Sequence, residues 1–420
     1  MTASFTLPAF EGLSHGASAL FMDIPLIFIG MLLLAVIAEP IARLLHIPFG
    51  ALLVVIGFAG SELLTANGID TGLRWQQFNF LILHVFVPIL VFESAFNMKA
   101  RVLLKNLTPV LLLAIPLMIV AASVTAAGVF FGLNHPAGFP WLAALLCGVI
   151  LSATDPVAVV ALFKQLGAPD DLTALLEGES LFNDATALVM FTLLVATVTS
   201  GAELRLTAAA LTFATTFFGG VVAGCLCGIC GAGLYKFFNT PALRALITAI
   251  SGALAFFLAE RLLHVSGVVA LLLAGLLLGE HHRRQAATDG FAGELWGLGA
   301  YCCNALLFLL AGVTVTWHMF QSHWLAMLIG IAAAIGARVI VIYGLLPIGS
   351  RVLPGGALPN SYQPVLMWGG LRGAVSLALA LSLPTTLTGW YSVQSIVYGV
   401  VLFTLFVQAP LMPRLLRKAL

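Results

Sequence analysis

Charge is what this sequence has least of. Asp, Glu, Lys and Arg make up 8% of its 420 residues, against about 25% in a soluble globular domain. So few charges cannot coat a surface that faces water on all sides. Collagen-like, disordered and disulfide-scaffold chains are excluded by the same composition. The six cysteines, Cys147, Cys225, Cys227, Cys230, Cys302 and Cys303, all lie inside apolar runs. Those at 225, 227 and 230 have no histidine or carboxylate beside them, so they read as small packing residues and not as a metal site. No basic run exceeds a few residues, which argues against a nucleic-acid partner, and no cofactor is expected. The first twenty residues hold no Lys or Arg. A signal-peptide n-region is therefore lacking, and the first apolar segment is expected to stay in the bilayer.

What is present is hydrophobicity: 61% apolar residues and a mean hydropathy of +1.09. A membrane span takes ~20 mostly apolar residues, and polar punctuation divides this chain into thirteen such runs. Their limits are 24–44, 47–65, 78–98, 107–131, 141–166, 172–199, 207–236, 241–262, 265–280, 295–317, 324–348, 364–383 and 392–412.

The basic residues test that count, because loops rich in Lys and Arg stay cytoplasmic. With the N-terminus outside, thirteen of the 18 basic residues fall on the cytoplasmic side. These are Arg43, Lys99, Arg101, Lys105, Lys164, Lys236, Arg244, Arg283, Arg284, Arg351, Arg414, Arg417 and Lys418. Arg74, Arg205 and Arg261 fall outside, and Arg338 and Arg372 lie within spans. The expectation is an all-α polytopic membrane protein of about thirteen transmembrane helices, embedded in the lipid of the cell (plasma or inner) membrane, with its C-terminus cytoplasmic. Spans 2–6 and 9–13 are two sets of five that enter from opposite faces. That permits inverted five-helix repeats, with sites where broken helices of the two halves meet. The chain ends shortly after span 13, so no soluble regulatory domain is expected.

Ionisable residues at bilayer depth are costly and mark function by default. Span 5 carries Thr154-Asp155-Pro156 at its middle. Pro156 cannot donate a helical hydrogen bond and disfavours helix at Asp155, so the helix is expected to break there. Asp155 then either caps the kink, faces a polar cavity, or does both. Span 6 carries Glu177, Glu179, Ser180, Asn183 and Asp184. Ser180 and Asp184 are i,i+4 neighbours, as are Glu179 and Asn183, so two polar stripes run down one helix. Three carboxylates within eight residues cannot all stay charged in hydrocarbon without counter-charge or water. Asp184, the deepest, is the candidate to take up and release a proton.

Span 12 reads Gly369-Gly370-Leu371-Arg372-Gly373. Its arginine cannot deprotonate and needs a carboxylate. Glu179 is the expected partner, which leaves Asp184 and Asp155 for substrate; direct pairing with Asp155 is the alternative. The glycines permit close packing or an unwound stretch. Glu93 and Asn97 are i,i+4 neighbours in span 3, where Glu93 either lines an ion path or hydrates near the headgroups. His84 reads as a hydrogen-bonded structural residue. Arg338 has no local partner and is expected to snorkel. Glu39 and Glu260, near span ends, read as hydrated. Asn304 is a candidate interhelical hydrogen bonder.

Three stretches, Ser152–Val160 (SATDPVAVV), Glu177–Ala187 (EGESLFNDATA) and Gly369–Ser376 (GGLRGAVS), together resemble the NhaP-type sodium/proton antiporters. That family includes the animal sodium/proton exchangers. The resemblance covers essentially the whole chain and implies a thirteen-span inverted-repeat fold with broken crossover helices, spans 5 and 12. It implies that Asp184 alternately carries H⁺ and the cation, and that Thr154 and Asp155 contribute to the cation site. Ser180 matches a cation-site hydroxyl, and Glu93 an acidic residue that reaches the site in some prokaryotic members. Glu179 and Arg372 match the family's buried ion pair. Asn183 in place of a second aspartate implies electroneutral exchange of one Na⁺ for one H⁺.

The resemblance also implies a homodimer, with a dimerisation bundle at 24–98 and 241–317. A core ion-transport bundle falls at 107–199 and 324–412, joined by a linking helix at 207–236. Two features depart from the pattern: the long cytoplasmic tail of many relatives is not matched, and Trp296 is followed by Gly297 where bacterial relatives often carry an acid.

Hard oxygen ligands from Asp184, Asp155, Thr154 and Ser180 suit Na⁺, and equally Li⁺ or K⁺. Competition of H⁺ and cation for Asp184 couples the two fluxes, with Asn183, Pro156 and Asn97 in support. The rival reading is a cation channel using the same carboxylates as a filter. An enzyme is not expected. Gly178-Glu179-Ser180 has no nearby histidine, and His281-His282 is expected to open a cytoplasmic loop.

Overall fold

A computed structural model describes residues 15–45, 47–67, 79–133, 138–201, 205–285, 290–352 and 358–419; Arg74 lies outside them. Among the described residues there are helices and no strand. In chain order, α1 is His15–Leu45, α2 Phe49–Ala66 and α3 Asn79–Asn97. A short α4, Ala100–Lys105, leads into α5, Leu107–Gly132. The next run is split into α6 (Trp141–Ile150) and α7 (Val157–Leu166), followed by α8 (Asp170–Ser200) and α9 (Leu206–Tyr235). The second half holds α10 (Pro241–Leu262), α11 (Gly267–Gln285), α12 (Phe291–Thr314) and α13 (Trp317–Ser350). It closes with a second split run, α14 (Tyr362–Gly369) and α15 (Ala374–Leu381), and with α16 (Trp390–Leu416).

Among the described residues, eleven helices are long and apolar enough to cross a membrane when α14 and α15 are taken as one run. α6 is apolar but shorter, and α11 ends in charged residues. Both expected breaks are present, at 151–156 and 370–373.

The outer faces are greasy. Leu206, Phe131, Leu44, Leu26 and Ile29 are among many large apolar side chains left exposed, as a lipid solvent allows and water does not. Inside, small residues bring backbones together. A Cβ on Gly224 would lie 2.3 Å from Ala270 O, and one on Gly57 would lie 2.5 Å from Leu309 O. So α9 packs against α11 and α2 against α12, while α5 packs against α6 and α13. Among the described residues, five π-helical turns interrupt the long helices, and four of them contain a proline or end two residues before one (Pro88, Pro116, Pro347, Pro410). A missing proline N–H frees a carbonyl in the preceding turn, and the wider helix accommodates it.

The structure departs from the sequence expectation at two histidines and a glutamate. α11 does not stop at 280: it continues to Gln285, so His281-His282 opens no loop. His282 is buried, its Nδ1 2.5 Å from Tyr235 Oη and its ring 5.4 Å from Phe96. An aromatic pocket and a hydroxyl partner make helix preferable to loop at this position. Glu39 is not simply hydrated but bonded to Arg43 one turn along. His84 bonds through Nδ1 to Phe80 O at 3.2 Å and stacks on Phe80, a structural role.

Candidate functional site

The two breaks meet. Asp155 N–H donates to Leu371 O at 2.8 Å, so one extended stretch hydrogen-bonds the other. Arg372 Nη1 donates to Ala153 O at 2.9 Å, and Ser376 Oγ lies 3.0 Å from Ile150 O and 3.3 Å from Ala153 O. The carbonyls that α6 leaves unsatisfied at its C-terminal end therefore receive donors from the opposite half, one of them cationic, as the end of a helix dipole favours. Asp155 takes the opposite role. Its Oδ1 accepts from Val157 N at 3.0 Å, and Ala374 N–H also bonds to its carboxylate. Those N–H groups open α7 and α15, so two half-helix N-termini converge on one carboxylate. Gly373 is required at this contact, since a Cβ there would lie 2.0 Å from Asp155 Oδ2.

α8 runs past the crossing and braces it. Ser180 Oγ donates to Thr154 O, and Asn183 Nδ2 donates to Ser152 O at 2.7 Å and lies 3.4 Å from Thr154 Oγ1. Asp184, one residue on, points the other way. Its Oδ1 is buried and has no hydrogen-bond partner among the described residues.

Asp184 faces a cavity of about 600 Å³. Asp155, Pro156, Glu177 and Ser180 line it from the crossing and α8, Glu93 and Asn97 from α3, and Asn304 from α12. Asn97 Nδ2 donates to Glu93 Oε1 at 2.7 Å, the i,i+4 pair expected from the sequence. The cavity thus gathers Asp155, Ser180, Asp184 and Glu93 on one space. Thr154 and Asn183 are not on its wall; they stand behind it, holding the broken backbone.

The charge pairing differs from expectation. Glu179 is bonded to Arg338, not to Arg372: Arg338 Nη1 and Nη2 reach Glu179 Oε1 and Oε2, the second at 3.2 Å. Arg338 also donates to Leu366 O from Nη2 (2.8 Å) and Nε (3.3 Å). It is therefore a part-buried, forked partner and not a snorkelling side chain. Arg372 forms no ion pair among the described residues, either with Glu179 or with Asp155; its guanidinium donates from Nη1 to Ala153 O at the crossing. The signal for Arg338 was in the sequence as a balance: two arginines at depth could not both serve one glutamate. Two other residues went unnoticed, Thr404 and Gln408 on α16, both buried and both bonded to the 368–372 stretch.

Interrupted helices crossed back to back, with carboxylates facing a polar cavity, define an ion-handling membrane protein. A family model described as sodium/hydrogen exchanger, transmembrane, matches residues 24–418, and the chain belongs to that family. Among similar proteins, the Na⁺/H⁺ antiporter ApNhaP of Aphanothece halophytica is 37% identical over 376 residues, 89% of this chain and 70% of that protein. The Na⁺/H⁺ antiporter NhaH of Halobacillus dabanensis is 28% identical over 413 residues, covering 96% and 99% of the two chains. The sodium proton antiporter MjNhaP1 of Methanocaldococcus jannaschii has the same fold, with a TM-score of 0.79 at 18% identity over 95% of this chain and 99% of its own. These relatives are named antiporters, and nothing in them supports the channel reading.

Proposed function

We propose that this protein exchanges Na⁺ for H⁺, one for one, through competition of the two ions for Asp184. The observation that carries this reading is the contrast between two carboxylates on one cavity. Asp155 has its charge met by two backbone N–H groups at helix N-termini. Asp184 Oδ1 is buried with no donor among the described residues, so a proton or a cation must supply what the protein does not. Either satisfies it and both together do not, which couples the fluxes without further machinery.

Asp155 and Ser180 supply further oxygens on the same wall. The Ser180 proton is committed to Thr154 O, which leaves the hydroxyl lone pairs for a hard monovalent ion. Glu93, steadied by Asn97, faces the site from α3. Thr154, Asn183 and Pro156 keep the break open, and the Glu179–Arg338 pair fixes α8 against α13. Li⁺ and K⁺ suit the same generic oxygen donors. Asn183 spends its amide on backbone and carries no charge, which favours electroneutral exchange.

The reading extends to architecture. Spans 24–98 and 241–317 form a bundle that dimerises, spans 107–199 and 324–412 a core that rocks against it, and 207–236 a link. The membrane is the cell membrane, with thirteen crossings and the C-terminus cytoplasmic. The cavity then opens inward, because Asn97, Met98 and Glu177 on its wall adjoin the basic end carrying Lys99, Arg101 and Lys105. The test is ΔpH-driven exchange in proteoliposomes with the potential clamped. Asp184→Asn is expected to abolish Na⁺-driven proton movement at normal protein levels. Exchange that survives the substitution would remove Asp184 from the mechanism, and dependence on membrane potential would refute electroneutrality.

A further inference from the structure

The stretch 370–373 between α14 and α15 has left the helical hydrogen-bond ladder and needs partners for its backbone. Gly370 makes an inverse γ-turn (φ −75°, ψ 60°), with Leu371 N–H on Gly369 O at 2.8 Å. Leu371 O takes Asp155 N–H, as described above. The Arg372 N–H and C=O are met from α16, at its π-helical turn Thr404–Gln408. Thr404 Oγ1 accepts from Arg372 N–H at 3.3 Å and lies 3.2 Å from Arg372 O and 2.8 Å from Val401 O, the two carbonyls that share its proton. One turn further, Gln408 Nε2 donates to Trp368 O at 2.7 Å while Trp368 Nε1 donates to Gln408 O at 2.9 Å.

Thr404 and Gln408 are 3% and 7% exposed. Each grips one end of the stretch, Trp368 at the last turn of α14 and Arg372 just before α15. A regular α-helix does not need polar residues at these depths, and hydrocarbon penalises them. Their partners explain them: Gln408 Nε2 is spent on the backbone of another span, and Thr404 Oγ1 is shared between Val401 O of its own helix and the Arg372 backbone of that span.

We propose that Thr404 and Gln408 are positioning residues for the cation site, holding 368–372 in the register that sets the Asp155 turn. The path is short and contiguous. Thr404 fixes Arg372, whose Nη1 holds Ala153 O. Leu371 O holds Asp155 N–H, and Gly373 lies against the Asp155 carboxylate. Slippage of this stretch displaces the Asp155 oxygens relative to Asp184 and changes the size of the oxygen cage before it changes the fold. The inference rests on the reading of the site given above.

The experiment uses the full-length protein in proteoliposomes, with ΔpH-driven exchange titrated separately with Na⁺ and Li⁺. Thr404→Val keeps the shape and removes the hydroxyl, Thr404→Ser restores it, and Gln408→Met removes the amide. Thr404→Val and Gln408→Met are each expected to raise KM for Na⁺ roughly tenfold, the weight of about one buried hydrogen bond, and to change the Na⁺/Li⁺ KM ratio. Thr404→Ser is expected to return both quantities to the wild-type range. A fall in maximal rate at unchanged KM and unchanged ion ratio overturns the proposal, as does a Thr404→Ser variant that behaves like Thr404→Val. If Thr404→Val is not recovered as monodisperse protein, Gln408→Met decides by the same two readouts. Asp184→Asn is run alongside: retained exchange there refutes the site itself, whereas its loss with normal ion ratios in the α16 variants refutes only the positioning role.

Discussion

Replacing Arg338 by methionine tests the buried charge arrangement most directly. The side chains of Arg338 and Glu179 are 11% and 3% exposed, so their charges have little water to turn to. Removing one member of such a pair costs about 3–5 kcal/mol, because the other is stranded without a counter-charge. Arg372→Met removes a charged donor to Ala153 O but no ion pair, a loss of about 1.5–3 kcal/mol. The order of damage is therefore Arg338→Met above Arg372→Met, the reverse of what a Glu179–Arg372 pair would give. Glu179→Gln closes the cycle, since the double variant Glu179→Gln/Arg338→Met strands no charge, and the loss of the donors to Leu366 O is common to it and to Arg338→Met. Its destabilisation is expected to fall short of the sum of the single variants by about 1–3 kcal/mol. The assay is denaturant unfolding of purified protein in detergent, followed by tryptophan fluorescence. A Glu179–Arg338 coupling below about 0.5 kcal/mol, within ordinary additivity, together with a larger Glu179–Arg372 coupling, would refute the assignment.

Two further outcomes are specific enough to measure. Gly373→Ala places a methyl 2.0 Å from Asp155 Oδ2 and is expected to abolish exchange in proteoliposomes; Gly336→Ala, where nothing lies within 4 Å, is expected to leave the rate unchanged, and equal behaviour of the two would remove the steric argument. Ser180→Ala removes the donor to Thr154 O and a cavity oxygen. It is expected to raise KM for Na⁺ about tenfold, again the weight of one buried hydrogen bond, with the maximal rate retained; an unchanged KM would take Ser180 out of the site.

What the chain announces in advance follows from how local the cause is. The breaks at Asp155-Pro156 and at Gly369–Gly373 are legible because proline and glycine act on their own backbone. Glu93 and Asn97 are legible as a pair because a helix sets them one turn apart. Asp155 and Asp184 stand out as carboxylates at bilayer depth and Ser180 joins them through the resemblance; the cavity brings the three side chains to one wall. The partner of Glu179 was not legible, since Arg338 lies 159 residues away and only the folded arrangement, which brings the Arg338 side chain to Glu179, decides between two arginines. His282 was misplaced for a similar reason: its burial depends on Tyr235 and Phe96 from two other helices. Thr404 and Gln408 did leave a trace, two polar residues one turn apart in an apolar run, whose meaning appears only beside the unwound stretch they hold.

Arg283, near the end of α11, bonds to both Phe96 O and Met98 O, the first at 2.8 Å. Gly279 lies so close to the same turn that a Cβ would sit 2.0 Å from Phe96 O. The last turn of α3 is in this way riveted to α11, and Glu93 and Asn97 travel wherever α11 goes. Asp155 and Asp184 belong to the opposite bank, built from the crossed peptides and α8. In the rocking motion proposed above, the clearances from Glu93 to Asp184 and to Asp155 are the dimensions of the site that change. A wide clearance leaves room for an ion with much of its water shell, and a narrow one forces the shell off against protein oxygen. The rivet makes the degree of hydration of the passing ion a geometric consequence of how far apart the banks stand.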